Sequence, residues 1–199
     1  MRAEASELDR LIASIRGCRH CVETPSGKPL PHEPRPVLRV SETARLAVCS
    51  QAPGTRVHAS GIPFTDPSGD RLRDWMGVSA QEFYDDARIA IIAMGFCFPG
   101  QDENGGDLPP RAECSKLWHK SLFDHLPQLE LVLAVGSYAQ AWHLGSEAGA
   151  SLQATMLDWR RHLRRRRQPR ILPLPHPSWR NNGWITRNPW FEEELLPVL

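Results

Sequence analysis

The 199-residue chain is 41% hydrophobic and 24% charged, the balance of an ordinary globular protein, and its length fits one domain with a substantial core. No window approaches 18 consecutive apolar residues, which argues against a membrane span. The opening MRAEASELDRL mixes acids with bases and lacks the apolar core of a signal peptide, so a cytoplasmic protein is expected. The net charge of +1 hides an asymmetry: residues 158–187 hold nine arginines against one acid, Asp158. That stretch reads as a surface for phosphate or another anion, with a solvated loop as the alternative for Arg164 to Arg167.

In chain order, Leu8, Leu11, Ile12 and Ile15 share one face of a helix over 5–17. Residues 23–37 are proline-rich and without apolar period, hence extended loop. RLAVC (45–49) is a short buried strand closed by the turn Gln51-Ala52-Pro53-Gly54. A loop over 55–69 leads to a helix from Gly69 to Met76, and RIAIIAM (88–94) is a second strand. A long loop over 98–110 precedes an amphipathic helix over 111–126. LELVLAV (129–135) is a third strand, with Gly136-Ser137 opening a helix through Trp142. Residues 152–163 read as helix, 170–174 as a fourth strand, and 189–198 as a closing helix with Pro189 in its first turn.

Strands alternating with helices predict an α/β fold, a three-layer α/β/α sandwich on a central, mostly parallel four-stranded sheet, and one domain over 1–199. In such sheets ligands bind beyond the carboxyl ends of the strands. Three features fall there: the QAPG turn, the loop after the second strand, and His176-Pro177-Ser178 after the fourth. They are expected to converge.

Five cysteines in an intracellular chain argue against a disulfide framework. Cys18 and Cys21 form a C-x2-C pair, and Cys97 and Cys114 bracket one loop. Four thiolates in this arrangement suit a [4Fe–4S] cluster or a zinc site. Cys49, alone in the first strand, reads as a small buried hydrophobe.

Cys97-Phe98-Pro99, a variable loop, then Pro109-Pro110-Arg111-Ala112-Glu113-Cys114 and Leu117-Trp118 resemble the cluster-binding segment of family 4 uracil-DNA glycosylases. Ser50-Gln51-Ala52-Pro53-Gly54 is similar to the first motif of that superfamily, Gly61-Ile62-Pro63-Phe64 to its G-x-P-F, and His176-Pro177-Ser178 to its second motif. Taken together, and over roughly residues 5–198, these carry the resemblance. It implies a [4Fe–4S] cluster on Cys18, Cys21, Cys97 and Cys114, with iron rather than zinc. It also implies lesion-containing DNA, single- or double-stranded, as partner, and excision of uracil or another deaminated base.

A glycosylase takes the base out of the stack and breaks the C1′–N bond, leaving positive charge on the sugar and negative charge on the base. By resemblance, Phe64 stacks on the flipped base, with Pro53, Gly54 and Ser178 beside it. The amides of Gln51 and Ala52, with His176, then hold the developing oxyanion. Trp179 is the candidate wedge, and Arg180 and Asn181 the DNA contacts. Core packing for Phe64, a structural histidine at 176 and C-terminal packing for Trp179, Trp184 and Trp190 are the alternatives. The chain departs from the pattern where the relatives carry acids, with Gln51, Ala52 and Val57, and where family 4 reads uracil with asparagine, with Ala93. His58, Asp66 and Asp70 are polar residues close enough in sequence to substitute. The departures leave a second reading, a catalytically silent DNA- or damage-binding protein that keeps the fold and cluster.

Overall fold

The computed structural model describes residues 5–199; Met1 to Glu4, part of the leader reading and of the 1–199 domain, lie outside them. The expected α/β sandwich is present, and its sheet is parallel throughout. Strands β1 (Leu46–Cys49), β2 (Ile89–Ile91), β3 (Leu131–Val135) and β4 (Arg170–Leu174) run in the order β2-β1-β3-β4. Leu46 pairs with both Ile89 and Leu131, and Leu131 with Arg170.

Strand alternation sorts the core into two layers. Ala47, Cys49, Ala90, Val132, Ala134 and Ile171 face one side, where Leu8 and Ile15 of α1 (Glu7–Arg16) pack with Leu122 and Ala139. The strand residues on this side are mostly small, which lets the covering helices approach closely. Val48, Ile91, Leu133, Val135, Leu172 and Leu174 face the other side, under Leu72, Phe83, Met156, Trp159 and Phe191. Cys49 is fully buried, as a small apolar residue would be.

The remaining elements are α2 (His20–Glu23), α3 (Thr55–Ser60), α4 (Pro67–Met76), α5 (Ala80–Phe83), α6 (Ala112–Asp124), α7 (Ser137–Leu144), α8 (Leu152–Leu157), α9 (Trp159–Arg164) and α10 (Asn182–Arg187). Four segments differ from the sequence expectation. The 55–69 loop contains α3, a six-residue helix closed by Gly61 at φ 75°. Helix α4 starts two residues early, because Asp66 accepts the Gly69 N–H and Pro67 occupies the first turn. The helix over 152–163 breaks at Asp158 into α8 and α9, and the closing helix is a π-helical turn, Phe191–Leu195, running into a 3-10 turn. The short helices α2, α5 and α10 have too few residues to show a period.

Chain order reverses between β1 and β3: β1 leads outward to β2, and β3 to β4. The crevice at the carboxyl ends of such a pair is where parallel sheets bind ligands.

Candidate active site at the carboxyl end of the sheet

The three expected features converge. A groove over the strand ends is lined by Gln51 and Gly54 after β1, Gln101 and Asp107 from the loop after β2, Gly136 and Ser137 after β3, and His176 to Asn181 after β4. Beneath it lies a smaller inner pocket walled by Pro53, Val57, Phe64, Ile91 and Ala93, with Ser50, Ala52, Asp66, Ser68 and His176 also reaching it. Ala52, Gly54, Asp66, Ser68 and His176 belong to both spaces and form the boundary.

His176 is the best-defined group in this boundary. The Ser178 N–H donates to its Nδ1 at 3.2 Å, so in the neutral ring the proton sits on Nε2, which becomes a donor. Burial pushes its pKa below the usual histidine value, against the opposing charges of Asp66 and Asp107. The turn that holds it is closed by Asn181, whose side-chain amide donates to the His176 carbonyl at 2.7 Å. Arg71 of α4 ties this segment to the helix through Asn182 Oδ1 at 2.7 Å.

Phe64 is both pocket wall and core. Its ring meets Phe83 edge-on at 5.8 Å, and its backbone sits at φ 57°, unusual for a non-glycine residue. Gly69 explains how that is tolerated: a Cβ there would stand 1.8 Å from the Phe64 carbonyl oxygen, so only glycine lets the chains approach. Tyr84 donates its hydroxyl to the same oxygen at 3.1 Å.

The three tryptophans divide. Trp184 donates to Gln153 at 2.7 Å and meets Trp190 edge-on, so both pack the C-terminal segment. Trp179 is 74% exposed at the groove rim, with the Arg180 guanidinium 5.6 Å from its ring centroid. The amides of Gln51 and Ala52 donate to no other group among the described residues. The Gln51 side chain donates to the Leu108 carbonyl at 3.4 Å.

Of the three possible substitutes for the absent acids, only Asp66 reaches the pocket. His58 instead lies against His32, the rings tilted by 47° with centroids 4.3 Å apart, and Asp70 pairs with Arg73 at 2.6 Å. Asp107 was not anticipated; its Oδ2 would lie 3.2 Å from a Cβ on Gly54, so it hangs over the first motif. The signal was an acid in Gly105-Gly106-Asp107, a glycine-rich loop at a strand's carboxyl end. Ala93 lines the inner pocket, and its carbonyl bonds His119 Nε2 at 3.1 Å.

Cys18, Cys21, Cys97 and Cys114 line a single apolar cavity with Ile15 and Phe96. The Phe96 N–H donates to Cys114 Sγ at 3.3 Å, and burial pushes the Cys97 and Cys114 thiols up to about 12. Among the described residues no three His, Cys, Asp or Glu side chains are grouped to hold a single metal ion.

The arginine run does not join the groove. Arg164 to Arg167 lie with Glu130 and Arg170 where β3 and β4 begin, at the opposite end of the sheet. The run immediately precedes β4, so strand direction alone puts it there. Arg165 pairs with Glu147, and Arg167 donates to the His143 carbonyl at 3.2 Å.

A parallel α/β sheet with a small pocket adjoining a larger groove at its switch point defines an α/β ligand-binding architecture. A model of the Uracil DNA glycosylase superfamily matches residues 39–199, and the chain belongs to that superfamily. Its members act on DNA and are generally DNA glycosylases. The matched span holds Cys97 and Cys114, while Cys18 and Cys21 precede it. No helix among the described residues is long and apolar enough to cross a membrane.

Proposed function

We propose that this protein is a DNA glycosylase that takes uracil or another deaminated base out of DNA and hydrolyses its N-glycosidic bond. The observation that carries the reading is His176: a half-buried neutral imidazole, its Nε2 proton set by the Ser178 amide, at the boundary of pocket and groove. A donor so fixed stabilises charge as it develops on a leaving base without having to reorganise. The free amides of Gln51 and Ala52 are the second and third donors. Phe64 stacks on the base, Pro53 and Gly54 shape the mouth, and Ser178 holds the imidazole. With Ala93 where an asparagine would read uracil, the polar groups left in the inner pocket are Ser50, Asp66, Ser68 and His176. Short hydroxyls suit more than one deaminated base. Trp179 fills the gap left in the stack, and Arg180 contacts phosphate.

The same reading gives the four cysteines a [4Fe–4S] cluster. What supports this is that all four thiols line one apolar cavity, so a single group could take all of them as ligands. The Phe96 amide adds the N–H···S bond that stabilises a bound thiolate. The cluster's part is structural: it ties α2 to the loop before α6.

The test is single-turnover excision from oligonucleotides carrying uracil, hypoxanthine, xanthine or mispaired thymine, single- and double-stranded. At least one lesion should be released, leaving an alkali-labile abasic site. Lesion binding with every base left intact would instead establish the silent binding protein.

A further inference from the structure

We propose that Asp107 is the general base of this site, the carboxylate that takes the proton from the attacking water. The proposal rests on the glycosylase reading above. Three positions where relatives carry acids hold Gln51, Ala52 and Val57, and none can accept that proton. Among the described residues two acids line the groove and pocket, Asp66 and Asp107.

Their placements differ. Asp66 stands on the boundary, lining both the groove and the inner pocket where the base would lie, and is tied to α4 as its cap, with Oδ1 accepting the Gly69 N–H. Asp107 lines only the outer groove, where the sugar and phosphates would run. Its Oδ2 overhangs Gly54 and has no hydrogen-bond partner among the described residues, while Oδ1 accepts from Gln101 at 3.4 Å. Hydrolysis needs the base in the pocket and the water at C1′, outside it. The free carboxylate oxygen is on the correct side of that boundary.

The loop is built to present it. Gln101 and Asp107 bridge across a short hairpin, and the Leu108 N–H donates to the Gly100 carbonyl at 2.9 Å. Asp102 accepts from the amides of Asn104 and Gly106 at 2.9 and 2.8 Å. Gly100 and Gly105 take the positive φ values that the tight path requires. The Gln51 side chain, at a position where the relatives have an acid, reaches the Leu108 carbonyl beside Asp107. Gln51 is thereby a positioning residue: it anchors the loop that carries the replacement acid.

The step balances. The C1′–N bond breaks and its electron pair leaves with the base, whose oxygen accepts from His176 Nε2–H. Water oxygen bonds C1′, and the proton it loses goes to Asp107 Oδ2. That proton passes through solvent to the base anion, which regenerates the carboxylate and consumes one water in all.

Asp107→Asn should lower single-turnover excision about 10²- to 10⁴-fold, the range of a general base, while lesion-strand affinity and melting temperature hold. Azide, an anion that attacks C1′ with no proton to lose, should restore much of the Asp107→Asn rate but none of the His176→Ala rate. Asp107→Glu should keep part of the activity, and Asp66→Asn should lose far less than Asp107→Asn. Excision by Asp107→Asn at the wild-type rate, loss without azide rescue, or a larger loss in Asp66→Asn with binding intact would each overturn the assignment and leave the glycosylase reading standing. A wild-type protein that cuts no lesion would overturn both.

Discussion

The two ends of the sheet carry very different charge and enclosure. At the amino end, Arg164 to Arg167 and Arg170 crowd an open surface. At the carboxyl end the arginines are sparse (Arg56, Arg71 and Arg180), yet the groove opens onto a lined pocket with a histidine of fixed tautomer. Charge density in a sequence marks where anions can be attracted, but strand direction decides where chemistry can be built. The residues that matter here are few, come from four different loops and carry little net charge.

The largest effect expected falls on the third region, the cysteine cavity. Cys97→Ala should remove the brown colour and about four irons per chain from anaerobically purified protein and sharply lower solubility, whereas Cys49→Ala should keep both. Stoichiometric zinc without iron would contradict the cluster. Next is Phe64→Ala. Because Phe64 is buried against Phe83, truncation should cost about 3–5 kcal/mol of stability in urea unfolding, as for other core phenylalanines. Its binding role is better read from Phe64→Leu, which keeps an apolar side chain in the core but removes the aromatic face and should weaken lesion-strand binding by about 1–3 kcal/mol.

Acid should weaken the fold by a route unrelated to the site. His119 and His143 are held neutral by burial, at about 4 and about 3. An unfolded histidine binds its proton near 6.5, so the unfolded chain gains protons that the folded chain refuses. The stability these rings allow is whole above about pH 6.5 and is lost as pH falls toward 4. The urea midpoint should therefore drop between pH 7 and pH 5, and by less in His143→Leu; an equal drop would assign the loss elsewhere.

The smallest effects bear directly on the two ends of the sheet. Arg180→Ala should reduce the slope of log affinity against log salt by about one, the signature of one phosphate contact. Charge reversal at Arg164 and Arg165 together should leave that slope unchanged. A flattened slope in the double variant would bring the amino end into contact with DNA and break the comparison.

The four strands and the convergence of their loops were legible because buried parallel strands are short apolar runs and their carboxyl ends are fixed by direction. The gathering of Cys18, Cys21, Cys97 and Cys114 around one cavity was legible from spacing, and the burial of Cys49 from its place inside a strand. What was not legible depended on three-dimensional approach. Asp107 is separated by more than fifty residues from the turn it overhangs, so no spacing rule connects it to Gly54. Helix α3 escaped because six residues between glycines give no period, although Gly61 is a proper stop signal. The place of the arginine run follows from strand direction and not from composition, since it immediately precedes β4. Among the tryptophans, only exposure separates Trp179 from its packed neighbours.

The most direct test of the central claim is a paired single-turnover measurement on the best-cut lesion, with wild-type protein and His176→Ala. If the Nε2 proton of His176 supports the departing base, the variant should lose roughly 10²- to 10³-fold in rate, the usual cost of one oxyanion donor, with little change in DNA affinity. Equal rates in the two proteins would contradict the account, because the fixed imidazole would then be a structural residue and the chemistry would lie elsewhere.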